Sequence, residues 1–244
     1  MGTAIMVTSG KGGTGKTSLT AAVSSCLAAL GKRVLCVDLD IGLRNLDIAL
    51  GLDDRAVMDF TDVMHRRCPL LTAATEHPKI RHLYLLTAPM TLSDPDTVAF
   101  RRMMEDAKDC FDFVLMDSPA GLGDGFRLAM AAADRAIVVS ATEPAALRDA
   151  QRTVSELVGH VDEIHLVMNR VQPKLIRKLR TSIDHAMDTA GLPLLGIVPE
   201  DKDVTLAAGN GIPLVLFSHK DAAHAYLNVA KRLLGSRVPL MKIR

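Results

Sequence analysis

The sequence Ser-Gly-Lys-Gly-Gly-Thr-Gly-Lys-Thr at residues 9–17 constrains the fold of this chain more than any other segment. It contains Gly10, four further residues and then Gly15-Lys16-Thr17, which is the pattern of a phosphate-binding loop. Such a loop joins a buried strand to the start of a helix. Residues 3–8 form a short apolar run, and residues 17–30 repeat leucine and valine at helical spacing. The motif therefore predicts a strand, a glycine loop and a helix in that order.

The chemistry of this loop depends on its glycines. Gly10, Gly12, Gly13 and Gly15 can adopt backbone conformations that are closed to other residues, and they leave room for a phosphate group to approach. The loop amides and the start of the following helix then present positive dipoles to an anion. We expect Lys16 to reach the β- and γ-phosphates of a nucleoside triphosphate, and the Thr17 hydroxyl to bind Mg²⁺. The predicted nucleotide-binding residues of the loop are Gly10, Lys11, Gly12, Gly13, Thr14, Gly15, Lys16, Thr17 and Ser18.

Short apolar runs alternate with segments of helical periodicity along the rest of the chain. Continuous apolar runs of this length are typical of strands covered on both faces, so the alternation indicates a parallel sheet between helical layers. We predict a three-layer α/β fold of the P-loop NTPase type, with a mostly parallel central sheet of about seven or eight strands. The predicted strands are residues 3–8, 33–38, 82–87, 112–117, 135–140, 163–168 and 193–198, and the clearest predicted helices are residues 94–109, 145–158, 174–190 and 221–234.

Length and composition bear on the domain count and the cellular location. A chain of 244 residues can bury one large core, so we expect a single domain over residues 1–235 and a short tail at 236–244. No apolar stretch reaches membrane-spanning length, and the first strand begins too early for a signal peptide. The four cysteines form no Cys-x-x-Cys pair, which favours reduced thiols and a cytoplasmic location. The formal net charge of +1 gives no overall reason to expect a nucleic-acid partner.

Two predicted strands end in aspartate at the sheet edge where such folds bind ligands. Asp117 follows four apolar residues, which is the pattern expected of a carboxylate that holds Mg²⁺ directly or through water. Asp38 ends the second strand and Asp40 follows two residues later, so both are close enough to serve one site. From this spacing, Asp40 either orients an attacking water or belongs to a surface turn.

Three stretches together resemble the ParA/MinD class of deviant Walker ATPases. They are Lys11-Gly-Gly-Thr-Gly-Lys-Thr17, Asp38-Leu-Asp-Ile-Gly-Leu-Arg-Asn-Leu-Asp47 and Asp117-Ser-Pro-Ala-Gly121. The resemblance covers nearly the whole chain, and residues 40–47 resemble the MinD branch of the class more than plasmid ParA proteins. It implies an ATP- and Mg²⁺-dependent molecular switch in division-site placement, with slow hydrolysis that a partner stimulates.

The resemblance also assigns roles to individual residues. It implies a homodimer that encloses two ATP molecules, in which Lys11 of each chain reaches the phosphates held by its partner. A cation supplied in this way acts like an arginine finger, which contributes roughly 10³- to 10⁵-fold in rate in related enzymes. Asp40 would position or activate the attacking water, and Asn45 would help to hold it. Residues implied to contact or flank the adenine are Asn169, Arg170, Pro199, Glu200 and Asp201.

Partners follow from the same resemblance. In MinD proteins the helix after the fifth strand helps to bind the inhibitor MinC and the activator MinE; here Arg148 and Asp149 fit that pattern, while Gln151 departs from it. MinD proteins usually end in an amphipathic helix that binds the membrane. The tail at 236–244 mixes apolar and basic residues, but it is short and Pro239 interrupts it. Peripheral contact with anionic lipid at the inner face of the cell membrane, or a tail without a membrane role, are both open interpretations.

Two other functions compete with this interpretation. A ParA-type partition ATPase would bind nucleoid DNA non-specifically through a basic surface, for which residues 174–180 are the best candidate. A metabolic ligase or reductase on the same fold would need substrate residues or cluster-ligating cysteines, and the sequence shows neither pattern.

Overall fold

The computed structural model describes residues 1–53, 55–93, 95–179 and 182–241. The strands are β1 (Thr3–Thr8), β2 (Val34–Asp38), β3 (Thr75–Glu76), β4 (Leu83–Leu86), β5 (Phe113–Asp117), β6 (Arg135–Ser140), β7 (Glu163–Val171) and β8 (Leu194–Pro199). The helices are α1 (Lys16–Ala29), α2 (Asn45–Leu50), α3 (Phe60–Met64), α4 (Leu70–Ala73), α5 (Thr97–Cys110), α6 (Asp124–Ala132), α7 (Pro144–Leu157), α8 (Pro173–Leu179), α9 (Ile183–Ala190), α10 (Lys202–Gly209), α11 (Leu214–Phe217) and α12 (Asp221–Leu233).

The strands form one eight-stranded sheet in the order β3-β4-β2-β5-β1-β6-β7-β8. Seven strands run parallel, and the two-residue β3 pairs with β4 in the antiparallel direction. The strand β1 lies at the centre between β5 and β6, so its carboxyl end opens where the chain crosses from one half of the sheet to the other. This architecture confirms the predicted three-layer fold with a mostly parallel sheet.

Two apolar clusters hold helices against the two faces of the sheet. One contains Phe100 of α5, Phe126 of α6 and Leu147 of α7. The other contains Leu19 of α1 and Tyr226 of α12. Because both faces are covered, the central strands are apolar throughout, which is the pattern seen in the sequence.

Several predicted boundaries were wrong. The helix predicted at 174–190 is two helices, because the Ser182 hydroxyl accepts from the backbone N–H of His185 and caps a new helix. The helix predicted from 94 begins at Thr97, capped by the Asp96 carboxylate; residue 94 lies outside the described residues. The strand β7 continues to Val171, so Asn169 and Arg170 belong to the strand and not to the loop after it. Pro199 is likewise the last residue of β8.

Six short helices and β3 had no counterpart in the predicted elements: α2, α3, α4, α6, α10, α11 and β3. Most of these helices have fewer than nine residues, too few turns for a clear helical period. Within the described part of the chain, no helix combines the length and the apolar character needed to cross a bilayer.

Candidate functional site

The glycine loop lies at the carboxyl edge of the sheet, between the end of β1 and the start of α1. Gly13 and Gly15 have φ angles of 80° and 87°, in the left-handed region that favours glycine. Gly10 is required for another reason, since a Cβ there would lie 2.2 Å from the carbonyl oxygen of Asp149 in α7. A Cβ on Gly12 would meet open space. Gly13 and Gly15 therefore use the conformational freedom of glycine, whereas Gly10 is needed where the loop backbone approaches α7 closely.

Two residues at the end of β7 bind the loop from the side. The Nδ2 of Asn169 donates to the carbonyl oxygen of Thr14 at 2.9 Å, and the Nη1 of Arg170 donates to that of Gly13 at 2.8 Å. Arg170 also forms a two-pronged ion pair with Glu200, with distances of 2.8 and 3.2 Å. These contacts bring the loop and the ends of β7 and β8 into one rigid arrangement.

Tyr226 completes this arrangement, and sequence reasoning missed it. Its hydroxyl lies 3.2 Å from the Oδ1 of Asn169 and is fully buried in α12. Burial raises the pKa of Tyr226, so the hydroxyl stays protonated and donates to the amide oxygen. The bond fixes which end of the Asn169 amide faces the loop. A tyrosine inside an amphipathic helix more than 50 residues downstream carries no local signal of this role.

A cavity of about 250 Å³ opens between the loop and the ends of β7 and β8. It brings all five predicted adenine-contacting residues together with the loop. Val204 and Thr205 of α10 also line it, and the sequence analysis did not single them out. A second cavity of about 290 Å³ lies on the other side of the loop, where the exposed Lys11 and Glu143 form part of the wall.

Charged side chains converge beneath the loop. Asp117 is buried, and burial raises its pKa to about 7, while a hydrogen bond from the Thr17 hydroxyl acts in the opposite direction. The Thr20 hydroxyl lies 3.3 Å from the same carboxylate. Burial lowers the pKa of Lys16, and the nearby carboxylates of Asp117 and Asp40 partly offset this. The predicted lysine, threonine and aspartates therefore share one small volume.

Asp38 lies next to Asp117 in the sheet, and it also supports the loop that carries Asp40. Its carboxylate points into the loop that follows β2 and accepts the backbone N–H groups of Asp40 at 2.8 Å and Leu46 at 3.2 Å. It is fully buried, and burial raises its pKa to about 6. Asp38 thus holds the segment that carries Asp40 and Asn45. Asp40 itself is half-buried, and Asn45 is exposed at the first turn of α2.

The donors beneath the loop fit a phosphate and a hard cation. Within the described residues, the buried Oγ1 of Thr14 has no hydrogen-bond partner, so it is available to an anion on the loop. The Thr17 hydroxyl and the Asp117 carboxylate are oxygen donors of the kind that Mg²⁺ takes alongside phosphate oxygens and water. Loop, helix start and buried carboxylate together define a P-loop nucleotide-binding protein.

Comparison with known proteins identifies the family within the class of P-loop nucleotide-binding proteins. The family model described as the CobQ/CobB/MinD/ParA nucleotide-binding domain matches residues 5–214. The septum site-determining protein MinD of Bacillus subtilis is 41% identical, with 98% of this chain and 92% of the relative aligned. The corresponding Escherichia coli protein is 34% identical, with 96% and 92% aligned. The chain belongs to the CobQ/CobB/MinD/ParA nucleotide-binding family, as a MinD-type ATPase.

Solved structures agree with this placement. MinD in the MinC:MinD cell division complex of Aquifex aeolicus matches with a TM-score of 0.89 and 34% identity, over 98% of each chain. MinD of Pyrococcus horikoshii bound to Mg-ADP matches with a TM-score of 0.84 and 30% identity, over 96% of each chain. A ParA family ATPase from Chlorobium tepidum, at 18% identity and a TM-score of 0.81 over 94% and 99% of the two chains, shares the fold.

Proposed function

We propose that this protein is an ATP-dependent, dimerising switch that acts in division-site placement. The observation that carries the proposal is the contact of Asn169 and Arg170 with the carbonyls of Thr14 and Gly13 above the buried Lys16 and Asp117. These contacts join a phosphate-sized cradle to a neighbouring cavity in one preformed site. The curated relatives named septum site-determining protein support the cellular role.

ATP would lie across the loop. Its phosphates would accept from the loop amides and the start of α1, with Lys16 on the β- and γ-phosphates. The base would occupy the cavity of about 250 Å³ between Asn169, Arg170 and Pro199–Asp201. Thr17 and Asp117 would hold Mg²⁺, which supplies neutralisation of the phosphate charge when bound.

Hydrolysis would need residues from two chains. Asp40 would orient the attacking water with help from Asn45, while Asp38 holds their loop through the N–H groups of Asp40 and Leu46. Lys11 is exposed on the loop, which leaves its ammonium free to reach the phosphates of a partner chain. A monomer would then lack one cation, so turnover would stay slow until a dimer forms and an activator binds.

The partner surface would include α7. Arg148 is exposed and Asp149 half-buried on this helix, and the backbone of Asp149 contacts Gly10 of the loop. A MinC-like inhibitor or a MinE-like activator on α7 would therefore sit directly beside the phosphates. The MinC:MinD complex of Aquifex aeolicus supports a MinC-like partner.

The carboxyl-terminal tail would bear on membrane contact. Arg232 donates to the carbonyl oxygens of Val238 and Pro239 at 2.7 to 3.2 Å and so holds the described part of the tail against α12. Residues 242–244 of the predicted tail lie outside the described residues. Peripheral binding to anionic lipid would require this tail or the surface beside it.

One observation favours the DNA-binding alternative. The helix α8 buries none of its residues and carries Lys174, Arg177 and Lys178; Arg180 of the predicted basic segment lies outside the described residues. Such a helix could contact a phosphate backbone.

The deciding experiment is sedimentation of the protein with ATP, in parallel with anionic phospholipid vesicles and with plasmid DNA. Binding to vesicles alone, lost when ADP replaces ATP, supports the division-site switch. Binding to DNA alone, lost in the variant K174Q/R177Q/K178Q, would favour partition of DNA instead. Binding to neither partner, with a monomeric mass in ATP, would contradict both proposals.

A further inference from the structure

A third cavity, distinct from the two beside the phosphate loop, lies where α1 ends and the chain enters β4. Its volume is about 520 Å³, within the roughly 300–1,000 Å³ range of small-molecule sites. It is formed by the end of α1, the loop before β4, α11 and the first half of α12. Nothing in the proposed nucleotide chemistry uses it.

Small and aliphatic side chains line the interior of the cavity. Ala28 and Ala29 at the end of α1 and Ala223 in the first half of α12 are among its lining residues. Ile80, Leu216 and Leu227 supply aliphatic walls. The interior is therefore suited to an apolar body.

The charged residues at the rim of the cavity are cationic. Lys79 and Arg81 stand on the loop before β4, and both are exposed. Three histidines, His82, His219 and His224, add ring nitrogens that can donate hydrogen bonds. Among the described residues that line the cavity, none is acidic. An anionic group at the mouth would meet two cations and several donors.

Covalent chemistry is not expected at this site. Cys26 lines the cavity, and burial raises the pKa of its thiol to about 12. A thiol of this kind stays protonated at neutral pH and behaves as a small apolar group. The cavity therefore offers reversible binding.

From these features we propose that the cavity between α1, α11 and α12 binds a free amphiphilic anion, with an acyl chain or similar apolar body inside and a carboxylate or phosphate at the Lys79–Arg81 rim. The apolar interior and the cationic rim together select this class. A neutral hydrocarbon would leave the rim cations without a counter-charge, and a simple inorganic anion would leave the interior unfilled.

The test is isothermal titration calorimetry of the full chain with decanoate and decyl phosphate, each below its micelle concentration. Both should bind once per chain, and decyltrimethylammonium, with the same tail and the opposite charge, should bind at least about tenfold more weakly. The double variant K79Q/R81Q should bind decanoate about three- to tenfold more weakly, since exposed ion pairs each contribute modestly.

The shape of the cavity is tested by Ala29→Trp. This residue is exposed at the last position of α1, so an indole can enter the cavity without disturbing the core, and decanoate binding should be lost. The matched control is R102Q/R127Q, which removes two exposed cations from α5 and α6 on the other face of the sheet and should leave the affinity unchanged. Thermal unfolding and ATP binding of each variant report whether the fold and the nucleotide site are intact.

Several results would overturn the proposal. They are no decanoate binding up to the micelle concentration, equal affinity for the cationic amphiphile, or undiminished binding in Ala29→Trp. Anionic phospholipid vesicles separate a free ligand from a bilayer. Vesicle binding that is sensitive to Ala29→Trp, without binding of free decanoate, would assign the surface to a membrane and contradict the proposal.

Discussion

The side-chain amide nitrogen of Asn169 lies 2.9 Å from the carbonyl oxygen of Thr14, across 155 positions of the chain. Asn169 is buried at the end of β7, and its oxygen accepts from the Tyr226 hydroxyl. The phosphate loop is thus supported by two elements that follow it far along the sequence. Several properties of the site depend on this support.

Replacing Asn169 with alanine should weaken both the fold and the site. The buried Tyr226 hydroxyl and the Thr14 carbonyl would each lose a partner, which costs about 1–3 kcal/mol of unfolding free energy for each group left unsatisfied. Urea unfolding and ATP titration measure the two effects. The control is Asn210→Ala, where an exposed amide bonds only its own helix end. Equal stability of both variants would contradict a supporting role for Asn169.

Lys16→Ala should weaken ATP binding by about 10- to 150-fold, because a charged hydrogen-bond donor to the phosphates is lost. In the wild-type protein, burial lowers the pKa of Lys16, so its ammonium contacts the phosphates in a poorly hydrated setting. Equilibrium dialysis with labelled ATP gives the affinity. Lys32→Ala, outside the site, serves as the control. An unchanged affinity in Lys16→Ala would refute the assignment of the phosphate loop.

Asp40→Ala should still bind ATP and dimerise. Its rate of ATP hydrolysis should fall by about 10²-fold or more, since positioned bases contribute at least that much. Single-turnover hydrolysis and analytical ultracentrifugation in ATP separate chemistry from assembly. The exposed carboxylate of Asp53 provides the control, as Asp53→Ala. Normal turnover in Asp40→Ala would place Asp40 in a surface turn, the alternative that its spacing left open.

The proposed role of Lys11 between two chains predicts complementation. Lys11→Ala and Asp40→Ala should each be inactive alone. In a mixed dimer the Asp40→Ala chain supplies Lys11 to the one site that retains Asp40, so an equal mixture should recover about a quarter of the wild-type rate. Steady-state phosphate release measures the recovery. No recovery, in mixtures shown to exchange chains, would mean that Lys11 acts within its own chain or not at all.

His77 should make stability depend on pH. Its Nδ1 accepts the backbone N–H groups of Lys79 and Ile80, and its Nε2 lies 3.0 Å from the carbonyl oxygen of Leu50. Burial lowers the pKa of His77, so the unfolded chain binds a proton before the folded chain does. Stability should therefore fall as the pH drops below the unfolded pKa of about 6.5, with a slope of at most about 1.4 kcal/mol per pH unit from this group.

The pH prediction is checked by urea unfolding of wild type and His77→Gln between pH 7.5 and pH 5.5. The raised pKa values of Asp38 and Asp117 act in the opposite sense, because these carboxyls take up protons more readily in the folded state. The difference between the two proteins removes their contribution. Parallel curves for wild type and variant would rule out His77 as a source of the pH dependence.

The short-range features were predictable from the sequence. The spacing of Gly10, Gly15, Lys16 and Thr17 predicts a strand, a loop and a helix. The apolar runs predict a parallel sheet that is covered on both faces. Helix ends were less predictable, as the break at Ser182 shows, because a single capping hydroxyl can end one helical pattern and start another. Short helices such as α2 have too few residues to show a period.

What the sequence by itself determined is the chemistry that the loop can carry and the class of sheet that presents it. Only the tertiary structure decided that Asn169 and Tyr226 support the loop, that Asp38 holds the segment containing Asp40, and that α1, α11, α12 and the loop before β4 enclose an apolar cavity. The physical reason is the distance along the sequence between the residues that make contact. Loop geometry and strand burial follow from neighbouring residues, whereas these contacts depend on which strands and helices pack side by side, and local periodicity does not encode that order.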